Sequence, residues 1–468
     1  MSIDPNYTAL LDHFSEYAMS VETDDYPKND FTQMQFKGPI DYKAIAEAYD
    51  EAVAKVPVFN CHLTEEHKGL YYVPKWIYDP EVKNRLIIED CRHMAGDPFD
   101  PMDFSTRYYQ VKTRRRIDLR REFPVVCYLL RVKDDEHIFS INFHHSAMDP
   151  LKGYILVTTM LERYHEMVKG EKPDWAGSLG MASLVRKEGY VKPISMLTFG
   201  REQITDVLIK NTNSKVANVA TAQVKDPAEC KGRHSLRAVI DDPKIVEGLF
   251  KRASRNQATV NDLVFACARK ILTDWNRERG AKVGRFRFML ITSLAGRMPE
   301  TKGEGAGLSG LNFVHKDPDA DLDAMMRDFR DQRRNQLERG VDVQFNYTLR
   351  KIVQATRVLP LSKRTKLVRR LIERIPCTFY LSNLGTVWPK SKGSMESTIV
   401  KVGDFEINDM HSSASISRNL GLGLTIRSHN NRMYLNYVCD RFRFSLEEAK
   451  DITDRLTAEI IAAADPVE

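Results

Sequence analysis

At 468 residues the chain is longer than one core ordinarily serves, and it implies roughly two to three domain-sized units. With 42% hydrophobic and 29% charged residues it is globular in composition, which excludes a disordered or low-complexity protein. Seven scattered cysteines without a C-x-x-C pair exclude a disulfide framework and a zinc ribbon, and the formal net charge of +6 is modest.

The opening stretch MSIDPNYTALLDHFSEY lacks a basic region followed by an apolar one, and no apolar run is long enough to span a bilayer. A soluble cytoplasmic protein without a transmembrane segment is expected. FTQMQFKG reads as a strand, and Ile40 to Val56 reads as a helix with Ile45, Ala48, Tyr49, Val53 and Val56 on one stripe, ended by Pro57. EFPVVCYLLRV, the acidic turn Lys133-Asp134-Asp135-Glu136 and HIFSINF read as a β-hairpin. Cys127 and Cys267 lie inside apolar runs and read as packing residues rather than nucleophiles.

The hairpin's second strand runs out into His144-His145-Ser146-Ala147-Met148-Asp149. The spacing His-x-x-x-acid alone carries little weight, since 12 histidines and 64 acidic residues produce it by chance. His93 with Asp97, His315 with Asp319 and His62 with Glu66 repeat it in other settings. A strand end is different, because loops there commonly present reactive groups. Adjacent residues on a strand point to opposite faces, so only one of His144 and His145 faces a cleft, and the spacing to Asp149 favours His145. Asp149 either orients the imidazole or ties the loop to an arginine, leaving a ring nitrogen for proton transfer. The competing reading is a pair of polar residues capping a strand.

Beyond the loop, YILVTTMLERYHEMV reads as a helix and GEKPDWAGSLG as a linker, while residues 181 to 235 are weakly patterned and read as a crossover. SLRAVI reads as a strand and IVEGLFKRA as a helix. Thr259 offers an N-cap, with Asp262 three residues on, for VNDLVFACARKILTDW. FRFMLITSL is a further strand, ended by Ala295-Gly296-Arg297; GLGLTIRS and RMYLNYVCD form a hairpin; Ser445-Leu446-Glu447-Glu448 is a capping box for the last helix. Alternating strands and helices in both parts give an α/β fold class.

Two basic runs stand out: Lys112-Thr113-Arg114-Arg115-Arg116 with Arg120-Arg121, and LSKRTKLVRRLIERI from residue 361. The second reads as a solvated helix face, with Leu367, Val368, Leu371 and Ile372 on the buried or partner-facing side. Attraction to an acidic carrier protein, to nucleotide phosphates or to a membrane surface is its functional reading. No nucleic-acid-binding motif accompanies the charge.

The colinear order of KGPIDYKAIAEAYDEAVAKVPVF, INFHHSAMD, ATVNDLVFACA, LITSLAGR and TFYLSNLG resembles the CoA-dependent acyltransferase superfamily with its HHxxxD motif. Its members include chloramphenicol acetyltransferase, plant BAHD enzymes, wax ester synthases, alcohol acetyltransferases and condensation domains of nonribosomal peptide synthetases. The resemblance spans most of the chain. It implies two chloramphenicol acetyltransferase-like α/β sandwich halves, here residues 1–180 and 236–468 around the 181–235 crossover, with the active site in a tunnel between them.

By the same resemblance His145 is the general base, His144 supports it, and Asp149 is a structural or orienting residue paired with Arg297. Ser382 or Asn383 would stabilise an oxyanion, against the competing reading of a strand end capped by its own side chains. Thr259, Asn261 and Asp262 read as helix-capping residues. The chain departs from the family at Pro150, where condensation domains and wax ester synthases usually carry glycine; the loop is then expected to turn differently until Gly153. It also lacks the Asp-Phe-Gly-Trp-Gly of BAHD enzymes, for which DFE at 404–406 is no substitute.

The implied activity is transfer of an acyl group from acyl-CoA or a phosphopantetheine thioester, the co-substrate, to a hydroxyl or amine. No permanently bound cofactor and no metal are expected. A stand-alone condensation enzyme and a noncatalytic binder of carrier proteins are the alternatives. A separate acyl or peptidyl carrier protein is a possible partner, and a monomer is expected.

Overall fold

A computed structural model of the protein describes residues 3–94, 100, 104, 108, 115–148, 150–173, 216–221, 232–294, 308–315, 317–372, 377–386 and 401–467. In chain order these form strand β1 (Thr8–Leu10), helix α1 (His13–Val21), β2 (Asn29–Lys37), α2 (Tyr42–Ala54), β3 (Cys61–Lys68), β4 (Tyr71–Tyr78), β5 (Ile87–Asp90), β6 (Val125–Arg131), β7 (Glu136–His144) and α3 (Pro150–Lys169). There follow β8 (Arg233–Ile240), α4 (Pro243–Arg255), α5 (Val260–Glu278), β9 (Phe286–Ser293), β10 (Leu308–His315), α6 (Leu322–Glu338), α7 (Val341–Thr356) and α8 (Leu361–Ile372). The last elements are β11 (Cys377–Thr386), β12 (Lys401–Val402), β13 (Phe405–Ser413), β14 (Leu420–His429), β15 (Arg432–Asp440) and α9 (Leu446–Ala462).

The architecture is mixed α/β, with two compact sheet-rich units. One comprises Met1–Val185, Val353–Lys366 and Thr386–Ser415; the other comprises Arg186–Ile352, Leu367–Gly385 and Ile416–Glu468. This division is not the linear one drawn at 1–180, 181–235 and 236–468. The physical reason is strand pairing: β13 lies antiparallel along β2, satisfying the edge of a sheet that the N-terminal residues leave open.

The first unit's main sheet runs β12-β13-β2-β7-β6-β5, and a smaller sheet runs β1-β4-β3. The expected hairpin is β6–β7, in antiparallel register from Val125 opposite Phe143 to Arg131 opposite His137. Helices α2 and α3 pack together, and the stripe residues Ile45, Ala48, Tyr49 and Val53 are buried. Phe36 stacks on both Phe139 and Phe405, tying β2 to its two neighbours.

The second unit's sheet runs β10-β9-β11-β14-β15-β8. A cluster of Phe265, Phe288, Phe313, Phe329 and Phe379 joins α5 and α6 to its strands. Thr259 caps α5 through the Asp262 amide, and Asp262 answers the Thr259 amide, as the spacing predicts. Gly423 is a close-approach position: a Cβ there would fall inside the Tyr380 ring. Among the described residues no helix is long and apolar enough to cross a membrane.

The basic helix α8 keeps only part of the expected burial. Val368 is buried as expected, but Leu367, assigned to the same side, is 44% exposed, and Arg364 is fully buried; the side chains of Leu371 and Ile372 lie outside the described ones. The reason for the burial of Arg364 is a set of four acceptors around the guanidinium. Nη1 donates to Glu16 Oε2 at 2.8 Å, Nη2 to Glu65 Oε1 at 3.0 Å and to the Tyr72 carbonyl at 2.6 Å, and Nε to the Leu359 carbonyl at 2.6 Å. A buried charge paired and bonded in this way fixes helix geometry that an amphipathic count does not foresee. Arg357 also bonds Glu16, so α1 is clamped by two arginines from residues 353–366.

Candidate active site

The site begins where β7 runs out between two neighbours. The His144 amide donates to the Pro124 carbonyl at 2.7 Å, and the His145 amide donates to the Lys28 carbonyl at 2.8 Å on the opposite side. The Ala147 amide then turns back to the His144 carbonyl at 3.0 Å. Both histidine backbones are thus fixed by the strands that flank them, and the alternation of a strand sends their rings to different surroundings.

The His144 ring is completely buried. Its Nδ1 accepts the Ser146 amide at 3.1 Å and lies 2.7 Å from Ser146 Oγ. With Nδ1 an acceptor, the neutral ring carries its proton on Nε2, which lies 3.3 Å from Glu22 Oε1. Glu22 is the C-cap of α1 and is 4% exposed. Burial opposes its ionisation, but His144, Arg116 at 3.0 Å and the Lys28 amide at 3.0 Å outweigh that and hold its carboxyl down at about 2. His144 is therefore a strut, with Nδ1 bonded inside its own loop and Nε2 facing the Glu22 carboxylate.

His145 is placed differently. About a quarter of its side chain is exposed; Nδ1 lies 3.2 Å from Asp30 Oδ2, and the Phe14 ring meets the imidazole edge-on at 5.3 Å. No partner binds Nε2 among the described residues. Asp30 comes from β2, where Asn29 is opposite His144 and Asp30 opposite Phe143. The Ser415 amide, just past β13, donates to Asp30 Oδ1. One ring nitrogen beside a carboxylate, with the other unbound among the described residues, is an arrangement that suits a proton acceptor.

Asp149 and Arg297 lie outside the described residues, as do the structural details of their expected pairing. Helix α3 begins at Pro150, and the turn at Asp149 lies outside the described residues. Proline is well suited to a first helical position, having no amide proton to satisfy. Gly153 is instead inside α3, where a Cβ would press on Met148 Cε at 3.1 Å.

Ser382 and Asn383 lie near the end of β11 in the other unit. Asn383 Nδ2 donates to Asn261 Oδ1 at 2.7 Å, and Asn383 Oδ1 accepts the Gly385 amide at 2.8 Å. That local capping near the strand's end is the competing reading of these residues, and it engages the amide at both ends. Asn261, grouped by sequence with the cap, serves this contact. Asp262 in turn takes a two-pronged bond from Arg333, at 3.0 Å and 2.9 Å.

Of the other histidine–acid spacings, that of His93 with Asp97 lies outside the described residues at Asp97, and His315 and His62 face other neighbours. His315 ends β10 buried, 3.8 Å from Asp328, with burial lowering its basicity. His62 stacks on Phe123. The described cysteines are all buried, and burial pushes the Cys127 thiol up to about 12, against nucleophilic use.

No family model matches the chain. Isonitrile lipopeptide synthase from Mycobacterium tuberculosis is 33% identical over 100 residues, 20% of this chain and 4% of that protein. A linear gramicidin synthase polypeptide from Brevibacillus parabrevis is 24% identical over 250 residues, 52% of this chain and 5% of that protein. The chain therefore matches only a small part of the length of these curated relatives. The first condensation domain of the calcium-dependent antibiotic synthetase aligns over 99% of this chain and 98% of its own, with TM-score 0.68 and 13% identity. The chain has the condensation-domain fold.

Other proteins with this condensation-domain fold align as fully. Polyketide synthase associated protein 5 from Mycobacterium tuberculosis gives TM-score 0.61 at 16% identity, over 97% of both chains. The starter condensation domain of rhizomide synthetase, solved with C8-CoA and Leu-SNAC, gives 0.64 at 12% identity, over 99% of this chain and 96% of that one. The superfamily resemblance read from the sequence is thus shown at the level of fold. Within this condensation-domain fold Asp30 and Glu22 are the site residues the sequence reading missed. Their signal lay in pairing rather than motif: the strand FTQMQFKG was foreseen, but its register against HIFSINF was not.

Proposed function

We propose that the protein transfers an acyl group from a thioester to a hydroxyl or amine, with His145 as general base. The observation that carries this is the His145 ring, placed with Nδ1 beside Asp30 and with Nε2 unbound among the described residues. In the proposed step Nε2 takes the acceptor's proton as its oxygen or nitrogen attacks the thioester carbonyl. Collapse of the tetrahedral intermediate breaks the carbon–sulfur bond, and the imidazolium returns the proton to the departing thiolate. His144 supports the loop from behind. Asp149 is proposed to tie the loop to Arg297.

The donor is acyl-CoA or an acyl-phosphopantetheine carrier protein. Support for this class comes from the rhizomide synthetase domain, which was solved with a CoA thioester and an aminoacyl thioester mimic. Attack on the thioester develops charge on the carbonyl oxygen, and Ser382 is preferred of the two β11 candidates to meet it, because both ends of the Asn383 amide are already engaged.

The test is thiol release from a panel of acyl-CoAs and acylated carrier proteins with mixed alcohol and amine acceptors. Acceptor-dependent release that falls about 10²- to 10⁴-fold in His145→Ala, with the variant still folded, is expected. No release from any donor by folded wild type favours the noncatalytic reading, a protein that binds carriers without chemistry.

A further inference from the structure

We infer that Asp30 is the positioning residue of His145: it selects the ring tautomer with the proton on Nδ1 and stabilises the imidazolium formed during proton transfer. The inference deepens the acyl-transfer reading and rests on it, but the tautomer can be measured without turnover.

Three contacts confine the His145 ring. Its backbone amide is fixed to Lys28, immediately before β2; Phe14 of α1 meets it edge-on; and Asp30 of β2 approaches Nδ1 at 3.2 Å. Asp30 is itself buried, 6% exposed, and its other oxygen accepts the Ser415 amide. Oδ1 accepts the Ser415 amide, and Oδ2 faces the imidazole. A buried carboxylate oxygen accepts hydrogen bonds and donates none, so the nitrogen beside it is favoured as the protonated one. The proton on Nδ1 leaves the Nε2 lone pair for the acceptor, the only tautomer in which that nitrogen acts as a base.

The ring N–H is not yet aligned on Oδ2: the contact is an ion-pair distance without hydrogen-bond direction. Such bonds are commonly loose before substrate binds and tighten in the reacting complex. When Nε2 takes a proton, the ring becomes a cation a few ångströms from an anion screened from water, which lowers the cost of charge separation.

Asparagine at position 30 makes the inference sharp. Its carbonyl replaces Oδ1 toward the Ser415 amide, which forces the NH₂ group toward His145. A donor there demands an unprotonated Nδ1, which moves the ring proton to Nε2 and blocks the base. Alanine removes the partner without imposing the wrong tautomer. Asp30→Asn is therefore expected to be more damaging than Asp30→Ala, although it changes fewer atoms.

The experiment is ¹⁵N–¹H correlation of the histidine side chains in full-length wild type, Asp30→Asn and Asp30→Ala, with His145→Ala to assign the signal, alongside kcat and KM for thiol release. Wild type should show His145 protonated on Nδ1, and Asp30→Asn should show it on Nε2. Loss of kcat in Asp30→Asn should be on the order of 10²- to 10⁴-fold, as expected for a base in the wrong tautomer, with KM nearly unchanged. An Nε2-protonated His145 in wild type overturns the inference, as does an unchanged tautomer in Asp30→Asn. Wild type without acyl transfer but with the Nδ1 tautomer, reversed in Asp30→Asn, sinks the proposed reaction and leaves the role of Asp30 in place.

Discussion

The ends of β7 and β11 both present polar side chains, yet they are supported in opposite ways. At β7 the support is charged and comes from other elements: Glu22 behind His144, Asp30 beside His145, and α1 itself clamped through Glu16 by Arg364 and Arg357. At β11 it is neutral and largely local, with Asn383 bonded to Gly385 two residues on and to Asn261. Charged groups around a partly exposed imidazole are what the proposed proton transfer needs. The Asn383 amide is instead engaged by its own neighbourhood.

The largest effect that would sharpen this contrast lies at Arg364. Replacing it with alanine leaves the buried Glu16 to Arg357 alone and removes the arginine from the half-buried Glu65, and a loss of about 3–5 kcal/mol in chemical denaturation is expected. Lys363→Ala, on the exposed side of the same helix, should stay within about 0.5 kcal/mol. Equal effects at the two positions would contradict the clamp.

Glu22 gives the next effect, through pH. Its carboxyl is held at about 2, below the ordinary 4.5, so the folded state binds fewer protons than the unfolded chain. Its contribution is complete above pH 4.5 and is lost as pH falls toward 2. Acid unfolding of Glu22→Gln should therefore be less steep across that window than in wild type; identical slopes would mean that Glu22 is not coupled to His144 in this way.

The smallest effect is predicted for Asn383→Ala: about 1 kcal/mol of stability from its hydrogen bonds, with thiol release changed less than tenfold. A fall of about 10²- to 10³-fold at constant stability would make Asn383 an oxyanion donor and break the contrast between the strand ends.

Much of the fold was legible because its signals are local. The hairpin rests on alternating apolar residues between 125 and 143, and Thr259 with Asp262 and Ser445 with Glu448 are reciprocal caps within four residues of sequence. Long-range pairing was not legible. Nothing in FTQMQFKG announces that β13, hundreds of residues on, completes its sheet and brings the Ser415 amide to Asp30. The same holds for Arg364, whose burial depends on Glu16 and Glu65. At the site, the strand-end histidines were legible from a motif on a hairpin, while their acidic partners came from another strand and from a helix cap.

The most direct test of the central claim is the rate of acceptor-dependent thiol release by His145→Ala and His144→Ala beside wild type, each variant checked for folding by its thermal transition. The account predicts that His145→Ala keeps the wild-type transition and loses about 10²- to 10⁴-fold in kcat, whereas His144→Ala lowers the transition first. Wild-type kcat in a folded His145→Ala protein would contradict it.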